Sequence, residues 1–399
     1  MPTQLKNIFP ILILGVSLSV QANVFPTRDA KSYFKKSYEE SRFQFLETTE
    51  TYKKLNTYEI TAESFADPED STLTTNLAWF RNPSKTPASN LVVVMSGLHG
   101  IEGYVGSALQ TAMIENMLPP QPGATDFLFI HALNPYGFKN NRRVNRNNID
   151  LNRNFVLNET DYKQQNKAYG EINWFLNPQE PVQLEFFSRL SFIASSIKLI
   201  FRYSLETLRE AILKGQYEFD KGLYYGGQNY QYQKAFIDKM ASTYFPKYKT
   251  VFTLDLHTGY GEKNKLHILA NSMNQPTAPQ LNKIFGGEDR IDYGDKKKFY
   301  RTTGDLITYL QSKSTPETQV LGATFEFGTL NSQKTLGSIE SLRRMVLENQ
   351  DQHNKKNTET TDEVNLLFQD MFYPQDPEFQ SLVLIQGRSE FNRIKNYFK

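Results

Sequence analysis

A layered α/β fold with a largely parallel sheet is what this chain of 399 residues predicts, and three observations predict it. Short apolar runs alternate with longer segments of helical periodicity, the pattern of strand–helix–strand units. The runs at 91–95, 126–132, 251–256, 265–270 and 322–327 are apolar almost throughout rather than at every second position. Strands covered by helices on both faces read that way. Chemistry-bearing residues gather just beyond or late in these runs, where open α/β sheets place their ligands.

Taken in order, the elements justify themselves as follows. Lys6, an apolar stretch from Ile8 to Val20 and the small-residue pattern Val20-Gln21-Ala22 predict an export signal over residues 1–22. The stretch is too short for an ordinary membrane span. The mature chain is then expected from about Asn23, soluble, in the periplasm or secreted. Residues 23–74 are expected to form an N-terminal extension of helix and strand, with aromatic residues at helical spacing over 32–46. The core domain is expected over 75–372. Within it, 91–95 is followed by a helix from about Gly106 to Met117. A helical insertion is expected over 158–250. Its 184–213 stretch carries apolar residues three and four apart (Phe187, Leu190, Ile193, Ile197, Ile200). That spacing predicts a helix or helix pair packed against the sheet, with a membrane-surface helix as the alternative. Residues 373–399 show no motif and are expected to be peripheral.

Composition narrows the function classes. Hydrophobic residues make up 39% and charged residues 22%, as in a globular protein and not a disordered one. Lys plus Arg number 45 against 43 Asp plus Glu, so no net field draws the chain to nucleic acid. With no cysteine there is no disulfide framework. No Gly-x-Ser-x-Gly elbow is present, which argues against a serine hydrolase.

The most informative stretch is His99-Gly-Ile-Glu102, directly after the 91–95 run and its Ser96-Gly97-Leu98 turn. An imidazole and a carboxylate three residues apart can meet at one ion, and zinc takes such donors at roughly 2.0–2.2 Å. A third ligand is found in Asp255-Leu-His257-Thr, again at a strand end. Asp255, two residues earlier on the same side of the pleat, is placed to orient that imidazole. Glu326 lies inside the apolar 322–327 run, where a carboxylate needs a partner or a task. Beside a metal-activated water the task is general base. The polar segment 134–155 holds Arg142, Arg143, Arg146 and Arg153, suited to a substrate carboxylate or an oxyanion. His131 and His267 fall within or at the start of strands and are expected to be structural, and His353 to be a solvated surface residue.

Together HxxE, Asn134-Pro-Tyr-Gly-Phe138, Arg143-Val-Asn145, Asp150-Leu-Asn-Arg-Asn-Phe155, Asp255-Leu-His257 and Glu326-Phe-Gly328 resemble the zinc carboxypeptidase family. The likeness is closest to an uncharacterised bacterial branch with Tyr225-Gly-Gly227 and Glu326-Phe-Gly-Thr329 segments. It spans roughly residues 75–345. The resemblance implies a three-layer α/β/α sandwich around a mixed, largely parallel eight-stranded sheet, interrupted by the helical insertion. It implies one zinc ion held by His99, Glu102 and His257, with Glu326 as general base and Arg143 as oxyanion stabiliser. It implies Asn152 and Arg153 gripping the terminal carboxylate of a peptide or N-acyl amino acid. The family's mobile tyrosine is left among Tyr300, Tyr293 and Tyr309. The expected activity is an exported carboxypeptidase. A deacylase or amidase acting on N-acyl amino acids or cell-wall peptides is the alternative, and a non-catalytic peptide-binding protein a further one. Cleft width separates the first two: a lid built from 158–250 would restrict entry to small substrates.

Overall fold

The computed structural model describes residues 29–84, 86–270, 276–294 and 303–399. The expected export signal lies outside them. Eight strands form one sheet: β1 (Glu59–Asp67), β2 (Asp70–Arg81), β3 (Asn90–Ser96), β4 (Thr125–His131), β5 (Thr250–Gly259), β6 (Leu266–Ala270), β7 (Ile291–Tyr293) and β8 (Gln319–Gly328). Their spatial order is β1-β2-β4-β3-β5-β8-β6-β7. The central β4-β3-β5-β8 block is parallel, β1-β2-β4 is antiparallel, and β6 runs antiparallel to β8 but parallel to β7. The sheet is therefore mixed and largely parallel.

Among the described residues twelve α-helices surround it: α1 (Tyr38–Lys54), α2 (Gly103–Asn116), α3 (Pro135–Lys139), α4 (Lys167–Leu176), α5 (Phe186–Tyr203), α6 (Leu205–Leu213), α7 (Tyr232–Tyr244), α8 (Ala278–Phe285), α9 (Leu306–Gln311), α10 (Thr335–His353), α11 (Thr358–Phe372) and α12 (Pro377–Tyr397). Alternation along β3 shows how the layers arise. Val92 and Val94 enter one apolar cluster with residues of α1, α2, α8 and α12, whereas Leu91, Val93 and Met95 enter a second with residues of α7 and α9. Successive side chains of a strand point to opposite faces, so a run apolar at every position calls for a helical layer on each side.

Three expectations need correction. The boundary placed at residue 74 falls inside β2, and the β1–β2 hairpin extends the sheet instead of preceding it. The last segment is not peripheral: α12 buries Phe379, Leu384, Phe391 and Ile394, and its Gly387 sits against Leu109 of α2, where a Cβ would come within 2.7 Å of that side chain. Its polar positions hide the pattern, since only one face of a long helix need be apolar. The 184–213 stretch is a helix pair, one of the two forms expected, broken at Ser204, which adopts φ +69° and caps α6 through its hydroxyl. The pair packs on α4 and α10 instead of on the sheet.

Candidate metal centre and substrate cleft

Three backbone devices bring the sequence-predicted ligands together. After β3, Gly97 turns at φ +66°, His99 stays extended, and a 3-10 turn over Gly100–Glu102 leads into α2. Gly100 is required by close approach, because a Cβ there would lie 2.1 Å from the Gly137 backbone. The same loop is stitched to the polar segment: Gly100 and Ile101 N–H donate to the carbonyls of Arg143 and Arg142. His257 lies near the end of β5, and in the parallel β5–β8 register its Cα partner is Glu326. Ligand and candidate base thus share one rung of the sheet.

At the centre, His99 Nδ1 is 2.9 Å from Glu102 Oε1, His257 Nδ1 is 2.8 Å from Glu102 Oε2, and the two Nδ1 atoms are 3.1 Å apart. Each outer nitrogen meets a carboxylate: His99 Nε2 lies 3.1 Å from Asp150 Oδ1, and His257 Nε2 lies 2.6 Å from Asp255 Oδ2. Imidazoles that donate Nε2–H outward present the Nδ1 lone pair inward. Two such lone pairs and a carboxylate then crowd one point, which only a proton or a cation can stabilise. Donors bonded at about 2.0–2.1 Å to a tetrahedral ion stand about 3.3 Å apart, close to the observed spacing. The three side chains are buried and form a group that could hold a metal ion. The donor set fits one.

The electrostatics agree. Burial alone would lower the pKa of His257, but Asp255 and Glu102 outweigh it and hold the imidazole well above its usual range. Burial likewise works against ionised Glu102, and the facing His99 and His257 keep it below the carboxylate range. Asp150 is also buried and is held well below its ordinary value by Arg143 and His99. Glu326 goes the other way: burial, reinforced by the Glu102 charge, pushes it up to about 8, with Tyr260 N–H donating to its Oε1 at 2.9 Å. Two carboxyl groups in one cleft with pKa values driven apart is the pattern of divided acid–base roles.

These groups open into a cavity of about 180 Å³. Arg143 lines it, with Nε 3.0 Å from Asp150 Oδ2 and Nη1 3.4 Å from Glu102 Oε1, its guanidinium 5.2 Å from the centre of the Tyr224 ring. Asn152 and Arg153 line it too. Asn152 Oδ1 accepts from Leu306 N–H, while Arg153 donates from Nε and Nη2 to the Leu213 carbonyl and from Nη1 to that of Asn152. Arg142 is held away by Glu348 and Asn148, which separates the two neighbouring arginines. Arg146 pairs with Asp67 and Glu69, near the β1–β2 turn. The insertion contributes Arg209, Ile212, Leu213 and Tyr224 to the cavity wall.

Other histidines fall outside the centre. His131 stacks on Phe45 and meets Ser107 Oγ, and His267 pairs with Asp292, so both are structural as expected. His353 is half-buried at the end of α10, not solvated. Of the three tyrosines, Tyr293 is buried with its hydroxyl on Asn282. Tyr309 is enclosed by Lys234, Lys313 and Asp238. Tyr300 lies outside the described residues. Sequence reading missed Asp150 as the partner of His99, although its place two residues before Asn152 was a signal. It also missed Tyr224 and Arg209, for which no signal existed.

Fold and side chains define an α/β/α protein with a candidate mononuclear metal centre at the carboxyl edge of its sheet. The chain belongs to the family described as "Protein of unknown function (DUF2817)", whose model matches residues 34–386. No curated protein sequence matches it. Among solved structures it is similar to carboxypeptidase A from Helicoverpa armigera, at 16% identity and TM-score 0.44, over 78% of this chain and 73% of that one. It is also similar to thrombin activatable fibrinolysis inhibitor, at 13% identity and TM-score 0.43, over 82% and 77%. At these scores the functional reading rests on the side chains of the cleft.

Proposed function

We propose that the protein is a zinc-dependent hydrolase that cleaves an amide bond next to a free carboxylate, acting as a carboxypeptidase on short peptides. The observation that carries this reading is the convergence of His99, Glu102 and His257 on one point, with Glu326 on the same rung as His257. Zinc held by those three side chains would supply Lewis acidity and lower the pKa of a bound water. Glu326, whose carboxyl burial pushes up to about 8, is placed to accept a proton from the attacking water and to deliver it to the leaving amine. Arg143 directs N–H groups at the oxyanion that forms as the carbonyl is attacked. Asp150 and Asp255 fix the orientation of the two imidazoles. Arg153 has five N–H groups, three of them bonded to backbone carbonyls. The remaining two, with Asn152 beside them, are offered to the substrate carboxylate.

One observation favours a second reading, a deacylase of N-acyl amino acids: the insertion supplies part of the cavity wall, and the volume suits a small ligand. The export signal expected over residues 1–22 supports action outside the cytoplasm.

The test is a panel of chromogenic peptides and N-acyl amino acids, each blocked or free at the carboxyl end, assayed with zinc and after chelation. Hydrolysis is expected only at free carboxylates and only with metal. Short peptides cleaved faster than N-acyl amino acids support the first reading, and the reverse order supports the second. Activity surviving both chelation and Glu326→Gln overturns both.

A further inference from the structure

Helix α5 presents apolar residues on two sides, and only one of them is used. Its inner side buries Leu199 and stacks Phe192 on Phe175 of α4 at 4.7 Å between ring centres. Its outer side carries Phe187, Leu190, Ile197 and Phe201, spaced so that all four fall in one stripe along the helix. The two phenylalanines are 80% and 87% exposed, and Leu190 and Ile197 are 45% and 40% exposed. Trp174, next to Phe175 on α4, adds another exposed ring at 64%. Single exposed apolar residues are ordinary on soluble proteins, but a continuous stripe of this length marks a docking face.

Charge selects the occupant. The eighteen residues of α5 include Arg189, Lys198 and Arg202 and no acid. Arg189 turns aside to Glu340, whereas Lys198 and Arg202 fall at the edge of the exposed stripe. Apolar rings flanked by cations, on a helix with no anion, suit the boundary between the headgroups and acyl chains of an anionic bilayer. Face-to-face pairing with a second copy would bring two cation-edged stripes together with no acid in either helix to offset them. No helix among the described residues is long and apolar enough to cross a membrane, so the contact would lie on the surface.

We propose that the outer stripe of α5, with Trp174, docks this protein on anionic lipid surfaces. This is independent of the hydrolase reading. It has a spatial consequence, since α5 packs on α6 and α6 lines the cavity, so the insertion side of the cleft would sit nearest the bilayer.

The experiment is co-sedimentation of the full chain with vesicles of phosphatidylethanolamine and phosphatidylglycerol, and separately of phosphatidylcholine alone. Binding is expected to the anionic vesicles, with a blue shift in Trp174 emission that a Trp174→Phe variant lacks. Phe187→Ser with Phe201→Ser should weaken partitioning by about tenfold or more. Lys198→Glu with Arg202→Glu should erase the preference for anionic lipid. All five substituted side chains are solvent-exposed, so the variants should keep the melting temperature of the parent chain. Failure to bind either vesicle overturns the proposal, as does binding indifferent to the Phe pair. A stable dimer in solution that the Phe pair dissociates also overturns it, by assigning the stripe to a second copy.

Discussion

The two walls of the cleft are built on opposite plans. On the sheet side, His99, Glu102, His257 and Glu326 project from a strand end or the turn that adjoins it, and each imidazole has its second nitrogen on a buried aspartate. On the insertion side, the wall comes from α6 and the loop that carries Tyr224, and the helix behind it, α5, leaves aromatic rings in solvent. Rigid strands fix geometry to the tolerance that catalysis needs, and loosely packed appendages govern what enters. The contrast teaches that turnover should be sensitive to the first wall, while substrate affinity and choice should be sensitive to the second.

The sharpest challenge to this division is Glu326→Gln. It should lower kcat by about 10²–10⁴-fold with zinc content unchanged by mass spectrometry; an active Gln variant would remove the base from the sheet wall. Chelation should abolish turnover and lower the melting temperature, because three donor atoms would again face one another without a cation. Calorimetry with and without zinc reads this directly. Gly100→Ala should be nearly as damaging, since the Gly137 backbone occupies the space of the new Cβ. Loss of metal affinity, measured by competition with a chromogenic chelator, is expected alongside reduced stability. On the other wall, Arg209→Ala should raise KM about tenfold while leaving kcat within about twofold. A collapse of kcat instead would show that the insertion takes part in the chemistry.

The last effect, small near neutral pH, concerns a residue of neither wall. His131 is fully buried, and burial pushes its pKa down to about 3 from an ordinary 6.5. Between those values the unfolded chain binds a proton that the folded chain does not. Its contribution is therefore complete above pH 6.5 and is lost as pH falls toward 3, at up to about 1.4 kcal/mol per unit. Denaturant titrations should show a shallower acid loss of stability for His131→Gln than for the parent chain.

Legibility in the sequence followed burial. The strands β3, β4, β5 and β8 were readable because each is buried almost throughout and mostly apolar, and the three ligands because their positions at or just past strand ends are defined by those runs. β1 was not, since most of its positions face solvent and its few buried residues leave no pattern. β7 has only three residues, too few for any period. The break at Ser204 is invisible because the apolar spacing continues across it. Arg153 could be recognised as cationic and near the site, but its backbone partner Leu213 lies sixty residues away on the insertion. Long-range pairings of that kind are set by tertiary packing.

The shared rung of His257 and Glu326 has one more implication. Adjacent strands are locked at about 4.8 Å by their hydrogen-bond ladder, so the ladder acts as a ruler between the proposed base and the candidate ligand that no side-chain substitution can lengthen. Loops and appended helices around such a gauge are free to diversify. New substrates could then be tried without recalibrating the reaction itself.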